Sequence, residues 1–278
     1  MKLALFDDAG TPRIGAVVND VLFPLNCAGS MIDLITRWHT LRDEVLKEIN
    51  GGVGLPLSNI HLHAPVPRPG KIFAIGLNYA DHIAETKLET PAHQLWFTKA
   101  ATSINGPFDP IRIAKAGPMV DYEVELVAVI GKAGRNISKA NAPSHVFGYC
   151  VGNDVTERAW QQRTSQWCLG KSFDTHAPIG PLITTADEIG DPHNLDLRCY
   201  VNGELRQSSN TKHLVFNVWD QIEHLSAAMT LEPGDLIFTG TPGGVGVAMN
   251  PRQFLKPGDT VRCEIEKLGA IEGVMLPQ

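Results

Sequence analysis

Short apolar runs separated by turns rich in Gly, Pro, Asn and Asp recur along almost the whole chain, and they predict strands more often than helices. The opening MKLALFDDAGTPRIGAVVNDVLFPL alternates apolar stretches with DDAG and ND turns, the signature of a small hairpin region. MIDLITRWHTLRDEVLKEI then places Met31, Leu34, Ile35, Trp38, Leu41, Val45 and Leu46 at helical spacing, and Gly51 and Gly52 supply a stop. This predicts one helix. The stretch LHAPVPRPGK, residues 62–71, packs three prolines and a glycine into ten positions and is expected to be a domain junction near residue 70. Beyond it, turn signals such as NGPFDP, GKAGRN, VNGE, EPGD and KPGD punctuate the β-rich runs KIFAIG, VELVAVIG, LRCYV, DLIFTG and TVRCEIE. The pattern predicts an α+β, predominantly β fold, with residues 1–70 as a small N-terminal domain and 71–278 as the main one.

Composition narrows the partners. Twenty-four Lys and Arg stand against 30 Asp and Glu, a net charge of -6, which argues against a basic face for nucleic acid. No apolar run approaches the about 18 residues needed to cross a bilayer, so no membrane contact and no leader are expected. Five scattered cysteines without a C-x-x-C pair indicate neither a disulfide framework nor a zinc knuckle. They are read as small buried hydrophobes, in a reducing, cytoplasmic setting.

Chemistry enters with DYEVELVAVIGK, residues 121–132. On a strand Glu123 and Glu125 point to one side, with Cα atoms roughly 6 to 7 Å apart. Alone, such a pair is commonly one solvated face of a sheet. Asp154, in GYCVGNDVTERAWQ, ends another apolar run where a turn begins and can converge on the glutamates. Three carboxylates around one point repel unless a cation sits among them, and all-oxygen ligation suits Mg²⁺ or Mn²⁺, with Ca²⁺ as a further candidate. In GLNYADHIAET, His82 and Glu85 stand at i and i+3, so one helical turn brings them together and the carboxylate can orient the imidazole as a general base. A polar surface helix has the same spacing. Lys171, isolated in LGKSFDT, is able to hold an anionic substrate oxygen if it lies beside a metal. TGTPGGVG lacks the Lys-Ser/Thr of a phosphate loop; its glycines are expected to permit tight turns or close backbone approach. His61 and His63 have no third ligand nearby, and no H-E-x-x-H occurs, so a zinc hydrolase is not supported.

Taken together, GLNYADHIAE, TSINGPFDPI, DYEVELVAVIGK, GYCVGNDVTERAWQ, LGKSFDTHAPIGP, VNGELRQSSNT and PGDLIFTGTPGGVG, within residues 71–275, resemble the fumarylacetoacetate hydrolase family. LGKSFDT and VNGELRQSSNT are similar to the branch holding oxaloacetate tautomerases and bacterial 2,4-dioxo acid hydrolases. The resemblance implies a mixed β-roll like the family's C-terminal domain, usually a homodimer. It implies Glu123, Glu125 and Asp154 as metal ligands and His82 with Glu85 as a catalytic dyad on a mobile lid. It also implies Arg158, Gln161 and Thr241 as substrate contacts and Lys171 as the residue steadying the oxyanion. One departure is His176, where many relatives carry phenylalanine or a similar residue.

The expected function is therefore metal-dependent hydrolysis of a carbon–carbon bond in a 2,4-dioxo acid of acylpyruvate type, with the His–Glu dyad activating water. Tautomerisation or decarboxylation of oxaloacetate passes through the same enolate and is the alternative. A non-catalytic metal-stabilised binding protein is the third reading, and the retained His82 and Glu85 argue against it.

Overall fold

The computed structural model describes residues 1–86 and 92–278. Two mixed sheets dominate it. The larger follows the order Leu55–Pro56, Val21–Pro24, Thr11–Val18, Lys2–Asp8, Ala177–Thr185, Val146–Asn153, Val124–Ile130, Leu236–Phe238, Ile72–Gly76 and Leu95–Thr98. The smaller orders Glu204–Asn210, Asp196–Val201, Thr260–Ile265, Gly269–Pro277 and Ile111–Ile113. Most neighbours are antiparallel, with parallel pairs at Leu236–Phe238 on Ile72–Gly76 and at Gly269–Pro277 on Ile111–Ile113. The α+β, predominantly β expectation holds.

Alternation along Val124–Ile130 shows how the core is built. Val124, Leu126, Ala128 and Ile130 face the smaller sheet, packing in one cluster with Leu197, Cys199, Val261, Cys263 and Ile271. Val127 and Val129 face the other way, into a cluster with Leu34, Ile35, Leu41, Val45, Ile183 and Phe238. Both faces of this strand are dry, which is why it reads as a continuous apolar run. Its one charged member, Glu125, sits on the Val127 side, 1% exposed.

The predicted hairpins form where turn chemistry placed them. Asn19 and Asp20, with φ of 49° and 61°, turn Thr11–Val18 into Val21–Pro24, and Asn202 and Gly203 (φ 52° and 80°) do the same between Asp196–Val201 and Glu204–Asn210. The two PGD turns also match: Asp235 Oδ2 accepts from Glu232 N and Asp259 Oδ2 from Lys256 N, each at 2.7 Å, while Gly234 and Gly258 adopt positive φ.

Residues 31–49 correct the single predicted helix. The chain forms Met31–Thr36 and Trp38–Gly51, broken at Arg37, whose φ of -103° and ψ of 13° leave the helical region. Thr36 Oγ1 donates to Ile32 O at 2.7 Å, a back-bond that bends the turn. The first 70 residues are not set apart from the main sheet. Lys2–Asp8 pairs with Ala177–Thr185 in the register Lys2↔Thr184, and the N-terminal helices help fill the second cluster.

His176, just before Ala177–Thr185, is fully buried, with Nε2 3.0 Å from Arg112 O. Burial, with the Lys99 charge adding to it, pushes its imidazole down to about 4 from an ordinary 6.5. The folded state thus favours the neutral ring. Its stabilising contribution is complete above about pH 6.5 and is lost as pH falls toward 4, an effect on the order of 3 kcal/mol. Urea unfolding at pH 7 and pH 5 checks this: His176→Phe should flatten the acid loss seen in the parent chain. A second test concerns Gly148, where a Cβ would lie 2.4 Å from Thr184 O across the strand pair. Gly148→Ala should lower stability by about 1–3 kcal/mol in thermal unfolding.

Candidate metal and catalytic site

The acidic cluster is a product of strand register. Val124–Ile130 pairs with Val146–Asn153 so that Val124 opposes Asn153 and Glu125 opposes Gly152. Glu123 and Asp154, one residue beyond the ends of that ladder, are consequently adjacent, and Asp154 N donates to Glu123 O at 2.9 Å. Asn153 Oδ1 also accepts from Glu123 N at 3.0 Å. One ligand oxygen each from Glu123, Glu125 and Asp154 lies within 4.8 Å of the others, and all three residues are buried.

Three buried cations surround this group. Lys171 Nζ donates to Glu123 Oε2 and Asp154 Oδ2, both at 2.6 Å, and Lys99 Nζ to Asp154 Oδ1 at 2.6 Å. Arg158 Nη2 lies 2.7 Å from Glu123 Oε1 and 2.8 Å from Asp121 Oδ2, while Arg158 Nε donates to Asp121 Oδ2 at 2.9 Å. Burial alone pushes the Glu123 carboxyl up, but the charges of Lys171 and Arg158 outweigh it and hold the group below its usual range. Lys171 is held above its ordinary value because Asp154 and Glu123 outweigh its burial. Lys99 is lowered, first by burial and then by repulsion from Lys171.

Glu125 differs from the other two ligand candidates. It touches no cation among the described residues; its partner is Gly240 N, donating to Oε2 at 2.7 Å. Burial first, then the charges of Asp154 and Glu123, push its carboxyl well up. Four buried carboxylates (Asp121, Glu123, Glu125, Asp154) thus face three buried cations, and the excess charge falls on Glu125. Each carboxylate offers about four lone-pair sites, so the ammonium contacts leave acceptor capacity. The donor set fits a hard divalent cation.

The predicted helical turn forms as Ala80–Thr86. Leu77, at φ 53°, aims the chain into it. Buried Asn78 fixes this turn: its Nδ2 donates to Phe216 O and Thr239 O, and its Oδ1 accepts from Phe216 N. His82 Nδ1 stands 3.5 Å from Glu85 Oε2, ion-pair rather than hydrogen-bond distance, and makes no hydrogen bond. Glu85 accepts instead from Gly244 N at 3.0 and 3.1 Å. Burial raises the Glu85 carboxyl, but His82 and the Gly244 N–H outweigh it and leave it lowered.

The expected residues converge on one cleft of about 200 Å³, which His82, Glu123, Glu125, Arg158, Gln161, Lys171 and Thr241 all line. Asp154 lies beneath it, at 0% exposure. Arg158 Nη1 donates to Gln161 Oε1 at 3.1 Å, so these two act as a pair. Thr241 is more committed than expected: its hydroxyl donates to Val124 O and accepts from Gln207 Nε2. In the TGTPGGVG segment Gly240 and Gly244 have φ of 102° and 100°, and a Cβ on Gly244 would lie 2.0 Å from Arg206 O, as the close-approach reading expects. His176 does not line the cleft.

Two residues escaped the sequence reading. Lys99 follows the apolar run Leu95–Thr98 and shares the inward face with Phe97, a signal that alternation offers. Asp121 accepts from Gly246 N and Val247 N as well as from Arg158, and so ties the glycine-rich loop to the cation pair. Nothing in its local sequence distinguishes it from a turn residue.

Known proteins resemble this chain in sequence and fold. Residues 71–275 match the model of the fumarylacetoacetate (FAA) hydrolase C-terminal domain. Oxaloacetate tautomerase fahd2, mitochondrial, of Xenopus laevis is 44% identical over 290 residues, covering 98% of this chain and 89% of that protein. Oxaloacetate tautomerase FAHD2A, mitochondrial, of Homo sapiens is 48% identical over 219 residues, covering 78% and 70%. Fumarylacetoacetate hydrolase from Exiguobacterium antarcticum superposes over 100% of both chains with a TM-score of 0.91 at 37% identity. Maleylpyruvate hydrolase from Sphingobium sp. SYK-6, in complex with manganese(II) and pyruvate, covers 100% of this chain and 99% of its own, with a TM-score of 0.87 at 34% identity. The cytoplasmic setting expected from the cysteines is overturned by the curated relatives, which are named as mitochondrial proteins. Scattered, unpaired thiols carry no address. On the match of residues 71–275 and these full-length likenesses, the chain belongs to the fumarylacetoacetate hydrolase family of enzymes.

Proposed function

We propose that the chain is an oxaloacetate tautomerase, moving a proton between carbon and oxygen in the 2-oxo acid with Mg²⁺ or Mn²⁺ held by Glu123, Glu125 and Asp154. The carrying observation is the convergence of that buried triad, Lys171 and His82 on one small cleft. When bound, the ion supplies Lewis-acid stabilisation of developing negative charge on the substrate oxygen. His82 takes the proton from the carbon next to the ketone. Glu85, 3.5 Å from Nδ1, orients the ring and leaves Nε2 to exchange the proton. Lys171, held charged by its carboxylate neighbours, offsets the charge on the oxygen until His82 delivers the abstracted proton to it. Arg158 and Gln161 bind the acid end.

This reverses the order of the sequence-based readings, which put carbon–carbon bond hydrolysis first. Relatives at 44–49% identity are named tautomerases, whereas the hydrolases named among the structures stand at 34% and 37%. Hydrolysis of an acylpyruvate is the second reading. One observation favours it: beyond the charged pole the cleft is walled by Ile75, Leu77, Phe97, Trp167 and Val247, an apolar surface suited to an acyl group.

Assays of oxaloacetate and acylpyruvates with Mg²⁺ and with Mn²⁺ decide between them. Oxaloacetate enol–keto conversion, followed by ultraviolet absorbance, should exceed acylpyruvate cleavage and vanish on chelation. Glu125→Ala should abolish it. His82→Ala should lower kcat by about 10²–10⁴-fold while leaving metal affinity near that of the parent. Full activity after exhaustive chelation, or unchanged kcat in His82→Ala, would refute the assignment.

A further inference from the structure

The wall of the cleft leads outward from the charged pole in two steps. Lys171 Nζ sits 4.7 Å from the centre of the Phe97 ring, and the Phe97 ring centre is 5.5 Å from that of Trp167. With the carboxylate–ketone end placed at Lys171 and the triad, as proposed above, the remainder of the substrate would project along this wall toward Trp167. Trp167 is half-buried, lines the cleft, and is tied by its carbonyl to Lys171 N at 3.2 Å.

Its seat is specific. A Cβ on Gly76 would lie 2.5 Å from Trp167 Cζ3 and 3.0 Å from Cη2, so the ring rests against bare backbone that no other residue type could offer. Gly76 closes the strand Ile72–Gly76, directly before Leu77 and the turn into Ala80–Thr86. Gly170 adds a second constraint, since a Cβ there would lie 2.3 Å from Gln161 N. The segment carrying Trp167 and Lys171 therefore packs backbone-close on the helix Arg158–Gln161. The same packing sets the ring's distance from Arg158, Gln161 and Lys171.

We propose that Trp167, seated on Gly76, is the residue that limits substrate length, restricting this enzyme to 2-oxo acids with short substituents. The inference rests on the proposed placement of the carboxylate–ketone end at the triad. It does not depend on whether the bound acid is then tautomerised or cleaved. The indole occupies the space along this wall into which a longer substituent would extend, in a cleft of about 200 Å³. A pocket wall discriminates by roughly 10–200-fold per methylene it excludes, so a single ring is sufficient.

The test is calorimetric titration of the Mn²⁺-loaded protein with pyruvate, 2-oxobutanoate, 2-oxopentanoate and 2-oxohexanoate. Affinity should fall by about tenfold or more along the series in the parent chain. Trp167→Ala should abolish the fall and Trp167→Phe should keep most of it, with pyruvate affinity changed little in either. Gly76→Ala displaces the ring without removing it and should shift the ratio of 2-oxohexanoate to pyruvate affinity, which keeps the proposal decidable if Trp167→Ala does not fold. A parent chain that binds the whole series equally, or a fall that survives in both Trp167→Ala and Gly76→Ala, overturns the proposal. Oxaloacetate turnover is read in parallel. Its absence with the length ranking intact removes the tautomerase assignment and leaves this inference standing, whereas failure to bind pyruvate removes both.

Discussion

Crowding of carboxylates in a dry place is the constraint around which the rest is arranged. Two unit charges 4.8 Å apart repel by about 3 kcal/mol at an effective dielectric near 20, and three such groups meet here. The strand register that brings them together cannot slip, because a one-residue shift would exchange the two faces of Val124–Ile130 and drive Glu125 into the cluster of Leu126 and Leu197. The repulsion is instead met by Lys99, Arg158 and Lys171, each buried and each aimed at a carboxylate. These cations are therefore part of the fold before they are part of any reaction. Deleting one leaves an uncompensated buried charge, which costs more than the pair contributes when complete.

The His82–Glu85 pair sits on a much lighter support. Ala80–Thr86 has only seven residues, too few to be helical by itself in water, so its docking decides its structure. Among the described residues, buried Ile83, Ser209 Oγ donating to Asp81 Oδ2, and Gly244 N donating to Glu85 contribute to this docking. Gly244 is also where Tyr122 Oη reaches the loop, at 3.0 Å to its carbonyl. The loop thus connects the residue preceding Glu123 with the partner of His82. The acidic pole and the His82–Glu85 pair are joined through one turn of backbone.

How much of this the sequence disclosed follows from how local each signal is. The hairpins at 19–20 and 202–203 and the two PGD turns were legible because a turn is specified by the residues inside it. The E-x-E pair was legible for a similar reason, since strand alternation alone puts both side chains on one side. That Asp154 joins them depends on register between two strands; its place at the end of an apolar run offered the convergence, and the family resemblance implied it as a ligand. Lys99 and Asp121 were missed because their roles exist only in three dimensions: each is an unremarkable charged residue until the fold buries it against Asp154 or Arg158. The helix break at Arg37 was missed because apolar spacing is continuous across it. The competing bond there is a threonine hydroxyl that periodicity does not register.

The charge balance at the pole constrains what can bind there. Without an ion the four carboxylates exceed the three cations by one, and a divalent ion turns that deficit into a single positive charge. A singly charged acylpyruvate would cancel it, with its acyl part against Phe97 and Trp167. Oxaloacetate brings a second carboxylate, which the apolar wall cannot pair. In the proposed placement that carboxylate would remain in water at the mouth, beside exposed Gln162. Exposure to water also keeps it ionised, and an ionised carboxylate next to the reacting carbon opposes formation of negative charge there. The oxygen end, placed by the proposal at Lys171 and the triad, would then carry that charge. Either proposed reaction would pass through the same charged oxygen, so the shared pole would serve both, and the wall beyond it is where they would differ.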